Sequence, residues 1–143
     1  MNSRFAVAVH ILTLLEQSGG EPVTSEYLAG SVNTNPSLVR RLLGTLAKAG
    51  LTTSRMGTGG GALLARPADA ITLRDVFRAV EEEGELFGMH REQPNPACPV
   101  GRNIQQVLEH RFDDAMKALE ARLDRTTIAE LGRDIVQREA LAS

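Results

Sequence analysis

Apolar residues recur at helical spacing in the first segment of the chain. They are Phe5, Val7, Ala8, Ile11, Leu12 and Leu15. The steps of three and four residues predict an amphipathic helix with one face in a core. Gly19 and Gly20 follow this segment, and glycine commonly ends a helix.

Two shorter helices are predicted next. Thr24 is a suitable N-cap for a helix through Leu28 and Val32, and the segment 33–36, Asn-Thr-Asn-Pro, interrupts it. Pro36 fits the first turn of a new helix, where a backbone N–H has no intrahelical partner. This helix ends at Ala49-Gly50 and carries on one face Val39, Leu42, Leu43 and Leu46. Two short helices joined by a short turn form a helix-turn-helix, and the second is the candidate DNA reader.

A β-hairpin is predicted directly after these helices. The β-branched run 51–54 precedes the glycine-rich segment 55–61, and a second short apolar run covers 62–66. A hairpin that follows a helix-turn-helix is a wing, and Pro67 closes it.

The second half predicts helices with one long loop. Thr72 to Asp75 has the pattern of a capping box, and the helix it opens ends in the acidic run 81–84. Three prolines make 89–99 a loop, and a second capping-box pattern at 127–130 starts a last helix. Between them, 99–123 predicts a helix on the order of 35 Å long, more than so small a domain can cover. A partner chain is the simplest cover for its apolar positions, which are Val100, Ile104, Val107, Leu108, Phe112, Ala115, Leu119 and Leu123.

The fold class predicted is therefore mainly α with a small β-hairpin wing. Residues 1–83 form a winged-helix DNA-binding domain, 84–98 a loop, and 99–143 a dimerisation helix and a C-terminal helix. A length of 143 residues suits one folded unit with a helical extension, and 42% apolar and 24% charged residues are ordinary for a globular protein. No apolar run reaches the roughly 18 to 20 residues of a membrane span, so we expect a cytoplasmic protein.

Charge is distributed unevenly along the chain. The net charge is only −2, but residues 1–66 contain six basic and three acidic side chains, whereas the remainder contains ten basic and fifteen acidic ones. A basic half joined to an acidic half suits a protein that holds phosphates at one end.

The sequence resembles the Rrf2 family of winged-helix regulators, of the IscR, NsrR and CymR type. The matching segments are 22–23 (Pro-Val), 46–51 (Leu-Ala-Lys-Ala-Gly-Leu), 57–61 (Gly-Thr-Gly-Gly-Gly), 64–67 (Leu-Ala-Arg-Pro), 71–76 (Ile-Thr-Leu-Arg-Asp-Val) and 79–81 (Ala-Val-Glu). They occur in the family's order and spacing over nearly the whole chain. The resemblance implies a DNA-binding transcriptional regulator that acts as a homodimer on a palindromic operator, with repression as the expected mode. Met56 stands where the family often has Arg, and Arg55 lies one position earlier.

The predicted DNA contacts follow from helix and groove geometry. The N-terminal residues of a recognition helix approach base edges, so Asn35, Pro36, Ser37, Arg40 and Arg41 are candidates, with either arginine able to contact guanine or only phosphate. The N-terminus opened by Thr24 and Ser25 suits a phosphate. A wing tip without bulky side chains, formed by Gly57, Gly59 and Gly60, approaches the DNA backbone closely and directs Arg55 into the minor groove.

Cofactor and enzyme readings find little support in the sequence. Family members commonly ligate an iron-sulfur cluster through three cysteines in the loop before the long helix, whereas Cys98 is the one cysteine here, so the chain resembles the cluster-less branch and no cofactor is expected. Cys98 before a helix N-terminus is a possible redox sensor, or only a small residue that packs a turn. The glycine cluster lacks the Gly-Lys-Ser/Thr ending of a nucleotide loop, and no catalytic or metal-ligand spacing emerges, so no enzyme is predicted. A winged-helix protein-interaction module and a metabolite-sensing regulator without redox function remain alternatives.

Overall fold

The computed structural model describes residues 3–81 and 86–142. The described chain divides into two compact units. The first unit combines residues 3–81 with 123–142, and the second comprises 86–122.

The first unit contains five α-helices and one hairpin. In chain order the elements of the described residues are α1 (Arg4–Gln17), α2 (Ser25–Val32), α3 (Pro36–Lys48), β1 (Thr52–Arg55), β2 (Gly61–Leu64), a short 3-10 helix (Ala68–Ala70), α4 (Leu73–Val80), α5 (Pro99–Leu123) and α6 (Ile128–Ala142). All except α5 lie in the first unit. The predicted class, mainly α with a helix-turn-helix and a two-stranded wing, is confirmed.

Side-chain caps fix the starts of three helices where the sequence placed them. The Thr24 Oγ1 accepts a hydrogen bond of 3.1 Å from the Tyr27 amide at α2, and the Asn35 Oδ1 accepts one of 2.9 Å from the Leu38 amide at α3. At α4 the capping box is complete. Helix α4 ends at Val80, and residues 82–84 of the predicted acidic run lie outside the described residues.

Helix α1 is the centre of the core of the first unit. Its buried apolar face packs against α2, α3, α4, α6 and β2. The largest fully buried side chains of this core are Ile11, Leu12, Leu28, Val39, Leu46, Leu51, Ile71, Val76 and Ile128. Because α1 anchors both α2 and α3, it fixes the frame on which the candidate DNA reader is presented.

The C-terminal helix α6 packs with the first unit, whereas the sequence analysis grouped it with the dimerisation helix. Ile128 is fully buried in the core, and Ile128 N–H donates to the Ile71 carbonyl at 2.9 Å. The Gln17 side-chain amide donates to the carbonyl of Gly132 at 3.3 Å. A side chain at Gly132 would meet the Glu16 carboxylate, so glycine permits the close approach of α6 to α1. Apolar periodicity located the helix but could not specify its partner.

The second unit is the loop 86–98 and most of α5. Helix α5 has 25 residues, none of them buried, and it begins and ends where predicted. Of the predicted dimerisation positions, Val100 is 66% exposed and Val107 52% exposed, and Ala115 is exposed as well. Phe112 stacks on Phe87 with ring centroids 5.0 Å apart. No helix within the described residues is long and apolar enough to cross a membrane.

Candidate nucleic-acid interface

Helix α3 separates a buried face from a polar, exposed face. Val39, Leu42 and Leu46 are buried, and they hold the helix against α2, β1 and α4. The opposite face is exposed and carries Ser37, Arg40, Arg41 and Gly44. This is the arrangement expected of a recognition helix, which needs one face for the core and one for the major groove.

Asn35, at the start of α3, can both cap the helix and donate to a ligand. Its Oδ1 already accepts the Leu38 N–H, which leaves the two Nδ2 donors of the side chain for a ligand. Thr24 at α2 has the same capping role through Oγ1. Ser37 is exposed in the first turn of α3, where an amide N–H has no intrahelical acceptor. Both helix starts can therefore offer N–H donors to an anion.

Arg40 has a neighbour that the sequence analysis did not single out. Its Nη1 lies 3.6 Å from Glu26 Oε1 in the first turn of α2. Both side chains are largely exposed. The signal that pointed to Glu26 was available, because it is the single acidic residue between Pro22 and Pro67. Beside it, the Tyr27 side chain is 65% exposed.

The wing is tied directly to the end of α3. Leu51 N–H donates to the Leu46 carbonyl at 3.0 Å, and Thr52 Oγ1 donates to the Leu43 carbonyl at 3.2 Å. The two strands are antiparallel, with Thr52 opposite Leu64 and Arg55 opposite Gly61. These bonds make the position of the hairpin depend on the recognition helix.

Glycine is required at three positions of the wing tip, for two different structural reasons. Gly57 and Gly59 adopt φ of 88° and 78°, a conformation that disfavours other residues. A Cβ at Gly60 would collide with the carbonyl of Arg55, across a turn closed by Gly60 N–H and the Gly57 carbonyl at 3.1 Å. The tip is therefore a tight, side-chain-poor turn, as predicted, and Arg55 is exposed at its edge.

A third segment, at Val23, pairs with β2 beside the tip of the wing. Val23 and Ala62 exchange two backbone hydrogen bonds, of 3.0 and 2.8 Å. The Val23 backbone passes so close to Gly61 that a Cβ there would lie 2.5 Å from the Val23 carbonyl oxygen. This contact could not be predicted from the sequence, since an isolated bridge has no periodic pattern.

The segment from Pro22 to Pro67, which contains α2, α3 and the wing, is strongly basic. It has five basic side chains, Arg40, Arg41, Lys48, Arg55 and Arg66, against Glu26 alone. Arg66 lies 3.3 Å from Asp75 of α4, so it has an acidic partner from outside this stretch. The remaining cations, on the recognition helix and wing, suit a polyanion.

An iron-sulfur cluster held by three cysteines does not fit the donors of this chain. Cys98 is the single cysteine and is exposed at the start of α5. Among the described residues, no three His, Cys, Asp or Glu side chains converge as a metal site. One thiolate does not replace the three that the family's cluster commonly takes from each chain.

Comparison with known proteins gives a consistent result. A family model described as "Rrf2: Iron-dependent Transcriptional regulator" matches residues 1–134. YwnA of Bacillus subtilis, a provisionally named HTH-type transcriptional regulator, is 49% identical over 123 residues, which are 86% of this chain and 90% of YwnA.

Solved structures show the same fold. A provisionally assigned transcriptional regulator from Lactobacillus plantarum is 26% identical, with a TM-score of 0.78 over 100% of both chains. CymR, the global cysteine regulator of Bacillus subtilis, is 27% identical, with a TM-score of 0.65 over 93% of this chain and 95% of CymR. The predictions of a winged-helix regulator and of no enzymatic activity are confirmed by these relatives, which are regulators of transcription.

Proposed function

Because the chain belongs to the Rrf2 family of DNA-binding transcriptional regulators, we propose that it binds a palindromic operator as a homodimer and represses transcription in the cytoplasm. The observation that carries this proposal is the exposed basic face of α3. The opposite, apolar face of the same helix is buried and holds it in the helix-turn-helix. A symmetric dimer requires a symmetric site, so each half-site is read by one copy of α3.

Each element of the interface has a distinct role in the proposal. The start of α3 enters the major groove, where base edges or phosphates are contacted by Ser37, Arg40 and Arg41. Asn35 and Pro36 set the direction of this helix. Thr24 and Ser25 offer the N-terminus of α2 to a backbone phosphate. The wing brings Gly57, Gly59 and Gly60 close to the sugar-phosphate backbone and Arg55 to the minor groove.

Helix α5 supplies the dimer contact in this proposal. Its 25 residues give a length of about 37 Å at 1.5 Å per residue, and none of its residues is buried. Exposed apolar positions such as Val100 and Val107 lose water contact when a second α5 covers them. A dimer that reads successive turns of the duplex with its two copies of α3 requires half-sites about 34–36 Å apart.

The test is selection of duplexes from random DNA by the purified protein, followed by fluorescence anisotropy on the selected site. We expect a palindrome and an affinity that falls steeply with salt, since phosphate contacts release counterions. Arg41→Gln lowers affinity on all duplexes, whereas the matched control Arg133→Gln, an exposed arginine on α6, leaves it unchanged. Absence of binding to any duplex at low ionic strength contradicts the proposal and favours the protein-interaction module.

A redox response through Cys98 is a second proposal, supported by the position of the thiol. Cys98 is exposed, and its carbonyl accepts the Arg102 N–H at 2.8 Å, which makes it the residue that precedes the first turn of α5. Two Cys98 thiols of a dimer give a disulfide by losing two electrons and two protons to a peroxide, which is reduced to water.

Operator affinity before and after mild peroxide tests this response. Wild type changes affinity and recovers it with dithiothreitol, whereas Cys98→Ser does not respond. Equal responses of the two proteins contradict the switch and leave a regulator that senses another signal.

A further inference from the structure

Glu26 is out of place on the proposed DNA-binding surface. Between Pro22 and Pro67 it is the single carboxylate among five cations. A carboxylate near a DNA backbone is repelled by phosphates, so its presence on this surface weakens binding to any duplex. Because Glu26 lowers affinity for duplex DNA, we expect a contact within the protein that gives this carboxylate a role.

The contact is with Arg40 on the recognition helix. The Arg40 guanidinium lies 3.6 Å from the Glu26 carboxylate, with side chains 56% and 73% exposed. Glu26 lies in the first turn of α2, where the helix dipole stabilises a negative charge. The Thr24 cap fixes that turn, and α2 packs against α3. The backbone of Glu26 is therefore held at a defined place, from which its carboxylate reaches the arginine.

The Glu26–Arg40 pair is too exposed to contribute much to the free energy of folding. Ion pairs between exposed side chains contribute little to folding, and water and salt screen them. A guanidinium, however, is a planar group with five donors in a fixed fork. The Glu26 carboxylate, 3.6 Å away, attracts this group and favours the Arg40 conformations that keep it beside α2. Bidentate contact with guanine requires one defined plane, so a narrower set of Arg40 conformations favours that contact.

We infer that Glu26 is a positioning residue for Arg40, and that it increases base selectivity while lowering affinity for DNA in general. The inference rests on the proposed function, because it assigns Arg40 to a base and not to a phosphate. Without Glu26, the Arg40 side chain reaches neighbouring phosphates and other base edges, so it distinguishes its base pair less well.

The first measurement defines the base pair that Arg40 reads. Affinities are measured for the selected operator and for a set of operator variants. Each variant has one base-pair change in a half-site and the matching change in the other half-site, so that the palindrome is kept. Arg40→Gln is expected to lose preference at one position, by about tenfold or more if the contact is bidentate. If Arg40→Gln weakens all duplexes equally, Arg40 binds only phosphate and the inference is wrong.

The second measurement removes the carboxylate. Glu26→Gln is nearly isosteric, and we expect it to tighten binding to all duplexes while discrimination at the Arg40 position falls about two- to fivefold, the range of an exposed ion pair. Discrimination at other positions stays the same. Glu21→Gln, which removes an exposed charge from the turn before α2, is the matched control and leaves discrimination unchanged at every position.

A double variant separates positioning from simple charge. In the Arg40→Gln background, Glu26→Gln still tightens binding but no longer changes discrimination, because the residue through which it acts is absent. An equal loss of discrimination with and without Arg40, or none in either protein, overturns the inference. Failure of the wild type to bind DNA overturns the proposed function itself, so the two results are distinguishable. Circular dichroism confirms that each variant is folded.

Discussion

Asn35 allows the folding role of the interface to be separated from its binding role. The residue caps α3 through Oδ1, and the sequence analysis assigned it a DNA contact. Asn35→Ala removes both the acceptor and the Nδ2 donors, whereas Asn35→Asp keeps a capping oxygen and removes only the donors. The pair of variants therefore predicts different results in stability and in affinity.

The magnitudes follow from the geometry of the cap. A hydrogen bond of 2.9 Å to the Leu38 amide is a complete N-cap, and its loss to alanine costs about 1 kcal/mol. For a chain of 143 residues this lowers Tm by roughly 3 °C. Asp is as good an N-cap as Asn, and its charge is favourable at a helix N-terminus, so Asn35→Asp keeps or slightly raises stability.

DNA binding is expected to give the opposite order. Asn35→Asp places a negative charge at the start of the recognition helix, where phosphates approach. Repulsion of about 1–2 kcal/mol between charges a few ångströms apart near a protein surface corresponds to a loss of about five- to thirtyfold in affinity. Asn35→Ala loses a donor without adding charge, and its affinity falls less.

Chemical denaturation and anisotropy titration at two salt concentrations measure both quantities. High salt should restore part of the affinity of Asn35→Asp, since screening weakens the repulsion. If Asn35→Asp is destabilised as much as Asn35→Ala, the cap does not stabilise α3. If Asn35→Asp binds the operator as tightly as the wild type, the start of α3 does not face the duplex.

Three further substitutions test the wing, the dimer and the core. Gly61→Ala is expected to break the two hydrogen bonds of the Val23 bridge, to destabilise the protein by about 2–3 kcal/mol in urea denaturation and to weaken DNA binding. Val107→Glu puts a charge into the proposed dimer contact, and sedimentation should find a folded monomer; an unchanged dimer contradicts the assignment of α5. Ile128→Ala opens a cavity in the core and should cost about 2–5 kcal/mol in the same denaturation assay, whereas a cost below 1 kcal/mol would mean that α6 is not part of this core.

Local signals in the sequence predicted most of the fold. Thr24, Asn35-Pro36 and Thr72 to Asp75 carry cap and turn chemistry that depends on neighbours only a few residues away, so their helices begin where predicted. The placement of α6 was different. Ile128 fits either a dimer stem or a domain core by its pattern, and the decision comes from long-range contacts, its own burial beside Ile71 and the approach of Gly132 to α1.

The candidate interface was partly accessible to the same reasoning. The buried face of α3 identifies the exposed face that carries Arg40 and Arg41, so those positions follow from periodicity. The approach of Glu26 to Arg40 does not, because it depends on how two helices pack. The Val23 bridge likewise joins residues 39 positions apart in sequence without any repeating pattern.

The close packing of α6 on α1 has a consequence for synthesis of the protein. The core of the first unit joins Ile11 and Leu12 of α1 to Ile128 of α6, so this core cannot close on the ribosome until α6 has been synthesised. During translation the apolar face of α1 therefore waits, partly uncovered, for a helix made more than a hundred residues later.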